Sequence, residues 1–166
     1  MTVTDVTRDS ANRTLTLTAE YPAPAEQVWQ LWADPRLLER WWGPPTYPAT
    51  VVDHDLRPGG RVTYFMTSPE GERYHGYWVV ETVEAPRALA FEDGFADAEG
   101  TPSDTMPTSR SEVAIRPADD GTTRMTITAT FPSDEAMDQL LRMGVDEGMR
   151  LALGQTDELL RDRVTT

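Results

Sequence analysis

Thr123-Arg-Met-Thr-Ile-Thr-Ala-Thr-Phe-Pro-Ser-Asp-Glu135 is the stretch on which the fold turns. Up to Phe131 the side chains alternate: Met125, Ile127, Ala129 and Phe131 share one face, and Arg124, Thr126, Thr128 and Thr130 the other. That period of two marks a half-buried strand. Pro132 ends it, and Ser133 is placed to cap a helix whose first turn, Asp134 and Glu135, suits the positive end of the helix dipole. Met137, Leu140, Leu141, Gly144, Gly148, Ala152, Gln155 and Leu159 then recur at helical spacing, which predicts one long helix to about Arg161. Gly144, Gly148 and Gly154 each weaken such a helix by about 1 kcal/mol relative to Ala. Close packing on a sheet or room for a ligand would account for them.

Working outward, residues 1–11 read as a polar leader and 12–163 as one domain. A strand is expected over 13–21, with Leu15, Leu17, Ala19 and Tyr21 on one face. Short helices are expected over 25–33 and 36–41, the second restarted by Asp34-Pro35. Strands follow over 51–56, 61–67, 74–83, 88–92, 110–116 and 123–131, with a long loop over 93–109. In the first of these, Val52, His54 and Leu56 should share a face. An antiparallel sheet with one apolar face needs a cover, and only the terminal helix is long enough to supply it. The fold class is therefore α+β: a curved antiparallel sheet of about six or seven strands wrapped around a long C-terminal helix.

Composition narrows the chemistry. The chain has 166 residues, enough to bury roughly 70% of its unfolded surface without disulfide or metal. Twenty-eight acidic and 15 basic residues give a net charge of −13, which repels nucleic acid and anionic membranes. With no cysteine, thiolate catalysis and cysteine-bound zinc are excluded. Every basic residue is arginine, so lysine Schiff-base chemistry and a P-loop lysine are excluded too. No Gly-x-Ser-x-Gly exists around any serine. His54 and His75 are the only histidines, and Asp53-His54-Asp55 cannot converge on a metal because strand neighbours point to opposite faces. The expectation is no metal and no cofactor. With no signal-peptide core and no apolar run of membrane-spanning length, a cytoplasmic location without membrane insertion is expected.

Tyr21-Pro-Ala-Pro-Ala-Glu-Gln-Val-Trp29, Trp32-Ala-Asp-Pro35 and Trp41-Trp42-Gly-Pro44 resemble the opening of the START-like (SRPBCC) superfamily. The branch they look most like is named after the C-terminal domain of the heat-shock-protein-ninety ATPase activator. Asp55-Leu-Arg-Pro-Gly-Gly60, Gly76-Tyr-Trp78, Glu84-Ala-Pro86 and Gly144-Val-Asp-Glu-Gly148 fit its later landmarks. The resemblance implies a helix-grip fold with a hydrophobic cavity. Relatives include lipid and polyketide binders, aromatase/cyclases, hydrolases, co-chaperone domains and self-sacrificing resistance proteins.

The residues expected to line a cavity between sheet and terminal helix are His54, Tyr64, Met66, Trp78, Phe91, Phe95, Met106, Leu140, Gly144 and Gly148. Apolar walls with a few polar groups are what such a cavity requires, and methionine adapts to irregular ligands. Phe95 and Met106 belong to the long loop, which reads either as a lid or as a solvated connection. The first functional reading is binding of a small hydrophobic ligand, aromatic or polyketide-like among the possibilities, by a monomer or homodimer. The second is a cyclase, aromatase or hydrolase acting on such a ligand, or a sequestering or self-sacrificing resistance protein; no catalytic motif is found. The third is a protein-interaction module with exposed Trp41 and Trp42 as its footprint.

Overall fold

The computed structural model describes residues 3–164. Its elements are β1 (Val3–Asp9), β2 (Thr14–Tyr21), α1 (Ala25–Ala33), α2 (Pro35–Trp41), β3 (Ala49–His54), β4 (Arg61–Thr67), β5 (Arg73–Glu84), β6 (Ala88–Ala96), β7 (Ser109–Pro117), β8 (Thr123–Thr130), α3 (Asp134–Arg142), α4 (Val145–Leu153) and α5 (Thr156–Val164). Eight strands form one antiparallel sheet in the order β1-β2-β8-β7-β6-β5-β4-β3. The α+β helix-grip architecture is as expected, and four particulars differ.

The segment read as a polar leader contributes β1, which pairs along β2 through a register shift between Val3 and Asp5. Val6 packs on the core, but the shift breaks the alternation that would have revealed the strand. Similarly, β3 has an irregularity between Val51 and Asp53. It puts Val51 in the core and leaves Val52 62% exposed, so Val52 and His54 do not share a face. The expected long helix is three helices. Gly144 adopts φ +84°, a left-handed conformation that glycine takes without steric cost, and it ends α3 and opens α4. Gly154 caps the end of α4, and Thr156 begins α5. Apart from chain neighbours and the helix's own backbone, no atom of the described residues lies within 4 Å of where a Cβ on Gly144 or Gly148 would stand, so neither glycine serves close packing on the sheet. Lastly, β6 runs on to Ala96, which shortens the loop to 97–108.

The core lies between the concave face of the sheet and the helices. Its centre is aromatic. Trp32 from α1 meets Trp41 edge-on at 4.9 Å and Trp42 at 5.8 Å, and Trp42 meets Trp78 of β5 at 4.9 Å. Trp78 stacks on Phe91 of β6 at 4.0 Å. Such pairs add about 0.5–1.5 kcal/mol each beyond the area they bury. The Asp34 side chain accepts from the Arg36 N–H to start α2, so the chain turns within one residue and both helices place indoles on the same spot. Trp41 donates to the Leu31 carbonyl at 2.9 Å, and Trp32 to the Met125 sulfur at 3.1 Å. The Tyr21 hydroxyl bonds Thr156 at 2.8 Å, and Gln155 donates to the Gly43 carbonyl, fixing the α4–α5 junction to β2 and to the end of α2. Trp41 and Trp42 are therefore buried and are not an interaction footprint.

Trp78 is fully buried. Trp78→Ala should cost about 3–5 kcal/mol, the loss typical of a large aromatic removed from a core, read as a lowered denaturant midpoint. A cost below about 1 kcal/mol would show that the indole cluster does not organise this core.

Candidate functional site

Tyr64 of β4 points into the concave side, directly opposite Gly76 of β5. A Cβ on Gly76 would stand 2.5 Å from the Tyr64 hydroxyl oxygen and from its ring carbon Cζ, a contact no side chain tolerates. The glycine thus lets the ring lie across β5 and reach β6. There the Tyr64 hydroxyl donates to Asp93 Oδ1 at 3.1 Å. Asp93 stands opposite Trp78 on one side and Ser109 of β7 on the other, on the same concave face as Phe91 and Phe95. A carboxyl is thereby placed among tryptophan, phenylalanine and tyrosine rings.

Burial disfavours the charged form of both groups. The Asp93 carboxyl is pushed up to about 7, with the Tyr64 bond lowering it only in part. The Tyr64 hydroxyl is pushed well above the usual tyrosine range by burial and by the neighbouring Asp93 charge. Among the described residues the indole N–H of Trp78 is buried without a hydrogen-bond acceptor, and the Trp42 ring meets Tyr64 edge-on at 6.0 Å.

Tyr64 and Asp93 open onto a cavity of about 80 Å³ lined also by Phe95, Pro107, Ser109, Leu140 and Val145. One wall is sheet, one is the end of loop 97–108, and the third is α3 with the first residue of α4. The loop is tied down: Asp97 accepts from the Glu99 and Thr101 N–H groups, Ser103 N–H donates to the Phe95 carbonyl, and Gln139 of α3 points its amide at the Met106 sulfur at 3.9 Å. The cavity volume is well below the 300–1,000 Å³ of typical ligand sites.

Of the residues expected to line the cavity, the structure brings Tyr64, Phe95 and Leu140 together there. Met106 holds the loop wall on α3, and Met66 packs against the core. Trp78 and Phe91 are fully buried in the core and do not line the cavity. Gly144 and Gly148 do not line it, whereas Val145 does. His54 bonds the Trp32 carbonyl at 2.9 Å and so joins β3 to α1 rather than facing the cavity. Asp93, Pro107, Ser109 and Val145 were not among the expected residues. The signal for Asp93 was a glycine in mid-strand, Gly76, which marks a close approach by another group. Among the described residues no cluster of three or more His, Cys, Asp or Glu is placed to hold a metal, and no helix is long and apolar enough to cross a membrane.

Residues 22–161 match the family described as Activator of Hsp90 ATPase homolog 1-like protein. The chain belongs to this family. Among solved structures, protein Ms6760 from Mycobacterium smegmatis is 53% identical, with 95% of this chain and 96% of that one covered and a TM-score of 0.87. A protein from Arthrobacter aurescens is 44% identical over 97% of this chain and 93% of its own, with a TM-score of 0.92. One from Staphylococcus epidermidis is 27% identical over 98% and 95%, with a TM-score of 0.80. No curated protein matches the chain. As an Activator of Hsp90 ATPase homolog 1-like domain, the chain carries the Tyr64–Asp93 pair on the concave face of its sheet.

The raised Asp93 carboxyl makes stability depend on pH. In the unfolded chain it releases its proton near 3.8, and in the fold near 7. Between these values the folded state holds a proton that the unfolded state has lost, so this group's contribution to stability is full below about 4, falls as pH rises, and is gone above about 7. Asp93→Asn should therefore gain stability over the parent as pH rises from about 4 to about 7, by on the order of 4 kcal/mol at most. Parallel denaturant midpoints across that range for parent and variant check it, and two curves that stay a constant distance apart would refute it.

Proposed function

We propose that this domain binds a small, mainly apolar molecule carrying one hydrogen-bonding group, which meets the Tyr64–Asp93 pair while the rest lies between the sheet and the α3–α4 segment. The observation that carries the reading is a titratable carboxyl held on a tyrosine hydroxyl inside an otherwise apolar wall. Burying such a carboxyl and hydroxyl among apolar side chains costs stability unless their hydrogen-bonding capacity is fully met. Membership of a family whose members commonly bind hydrophobic ligands points the same way. The 80 Å³ cavity accepts only part of such a ligand, so binding moves a wall. The wall with least to lose is the α3–α4 junction, where Gly144 breaks the helix and Met143 is exposed. The ligand's identity as aromatic or polyketide-like belongs to the same proposal, as does a cytoplasmic setting.

A catalytic reading draws on one feature of the same pair. A carboxyl that titrates near neutrality can both give and take a proton at working pH, which is what general acid–base chemistry on a bound cyclising or hydrolysable ligand needs. The two readings separate on whether the bound compound is recovered unchanged.

Melting temperature and tryptophan fluorescence, followed across a panel of hydrophobic and polyketide-like compounds, test the proposal. A ligand at 100 times its dissociation constant should add about 2.7 kcal/mol of stability. Val145→Phe fills the cavity and should abolish that gain, and Tyr64→Phe should reduce affinity about five- to ten-fold, the value of one hydrogen bond. Binding unaffected by both variants would place the ligand elsewhere, and a flat response across the panel would remove the proposal.

A further inference from the structure

The convex face of the sheet carries a second concavity, whose lining includes the strands at Tyr64 and Gly76 but not Asp93. Arg61, Thr63 and Phe65 of β4 and Arg73, His75 and Tyr77 of β5 point outward there. Loop residues Ala98, Glu99 and Gly100 lean over this face and enclose a groove of about 270 Å³ with Val52 and Asp53 at its edge. Arg61 donates to the Gly100 carbonyl at 3.0 Å and lies 5.5 Å from the centre of the Tyr77 ring. Arg73 lies 4.4 Å over the Phe65 ring, and His75 meets that ring at 5.5 Å.

Neither guanidinium forms an ion pair with a carboxylate among the described residues, although seven other arginines do so in this acidic chain. Two carboxylates do line the groove. Asp53 is held by the Thr63 hydroxyl at 2.7 Å, and Glu99 sits on the loop wall. The rings fix both arginines at little further entropic cost, so their remaining N–H donors are set in place for an incoming acceptor. In the register Phe65 faces His75, which makes Tyr77 its diagonal neighbour across the strand pair. Both arginines line the one groove, where an oxyanion placed between them accepts N–H···O bonds of about 2.8 Å.

We propose that this groove is a binding site for a small dianionic oxyanion, a phosphate or a short dicarboxylate, clamped between Arg61 and Arg73 with Thr63 and His75 on the floor. It lies on the opposite face of the sheet from the Tyr64 and Asp93 side chains, and it stands or falls independently of the ligand proposed there. The probes are inorganic phosphate and succinate, each titrated into uniformly ¹⁵N-labelled protein at constant ionic strength. Saturable shifts of the Thr63, Phe65, His75 and Gly100 amides are expected with at least one probe, and the probe that binds more tightly gives the ligand class. Arg73→Gln and Arg61→Gln should each weaken binding about ten-fold or more, a charge-assisted hydrogen bond being lost in each. Arg116→Gln, at a distant exposed arginine, should change nothing. Unchanged melting temperatures would show that all three variants remain folded. No saturable shift with either probe, shifts spread over the surface, or an equal loss in Arg116→Gln would overturn the proposal.

Discussion

Everything else in the molecule is arranged around one contact: the indole of Trp78 lying flat on Phe91 at 4.0 Å with the edge of Trp42 set against it. A sheet of eight strands has a large concave face, and three short terminal helices cannot cover it alone. The cover is completed from the other side of the sequence by α1 and α2, which drive Trp32, Trp41 and Trp42 onto β5 and β6. Dense packing there leaves little free space, since interiors approach crystalline density. At the end of the face beneath the loop and α3 a void remains, and there the polar pair stands.

Much of this was legible in the residues. Alternation in β2 and β8, the Asp34-Pro35 restart and the Ser133 cap gave their elements closely, because each rests on local chemistry that tertiary contacts did not override. The failures have physical causes. One irregularity in β1 and one in β3 re-phased the alternation, hiding a strand in the first case and misplacing Val52 in the second. Gly144 and Gly154 were visible, but their effect on the helix depended on whether packing would hold a continuous rod. The structure breaks it at both.

The site was only half readable for a related reason. Tyr64, Phe95 and Leu140 follow from which face a strand or helix residue occupies, a local property. Asp93 does not, because its role needs β6 to continue past Glu92 and needs Gly76 to let a ring from β4 pass over β5. Three strands have to be aligned before the carboxyl and the hydroxyl meet. The same dependence explains why Trp78 and Phe91 looked like ligand contacts: aromatic residues on the correct face can either line a cavity or fill it, and here they fill it.

The indole cluster also governs how the molecule handles light. Trp32, Trp41, Trp42 and Trp78 are linked ring to ring by centroid separations of 4.9–5.9 Å. At such spacing their transition dipoles couple, and absorbed energy passes among them faster than it is emitted. Four of the five tryptophans therefore act as one chromophore. Near-ultraviolet circular dichroism is therefore the spectrum in which loss of this packing should show first.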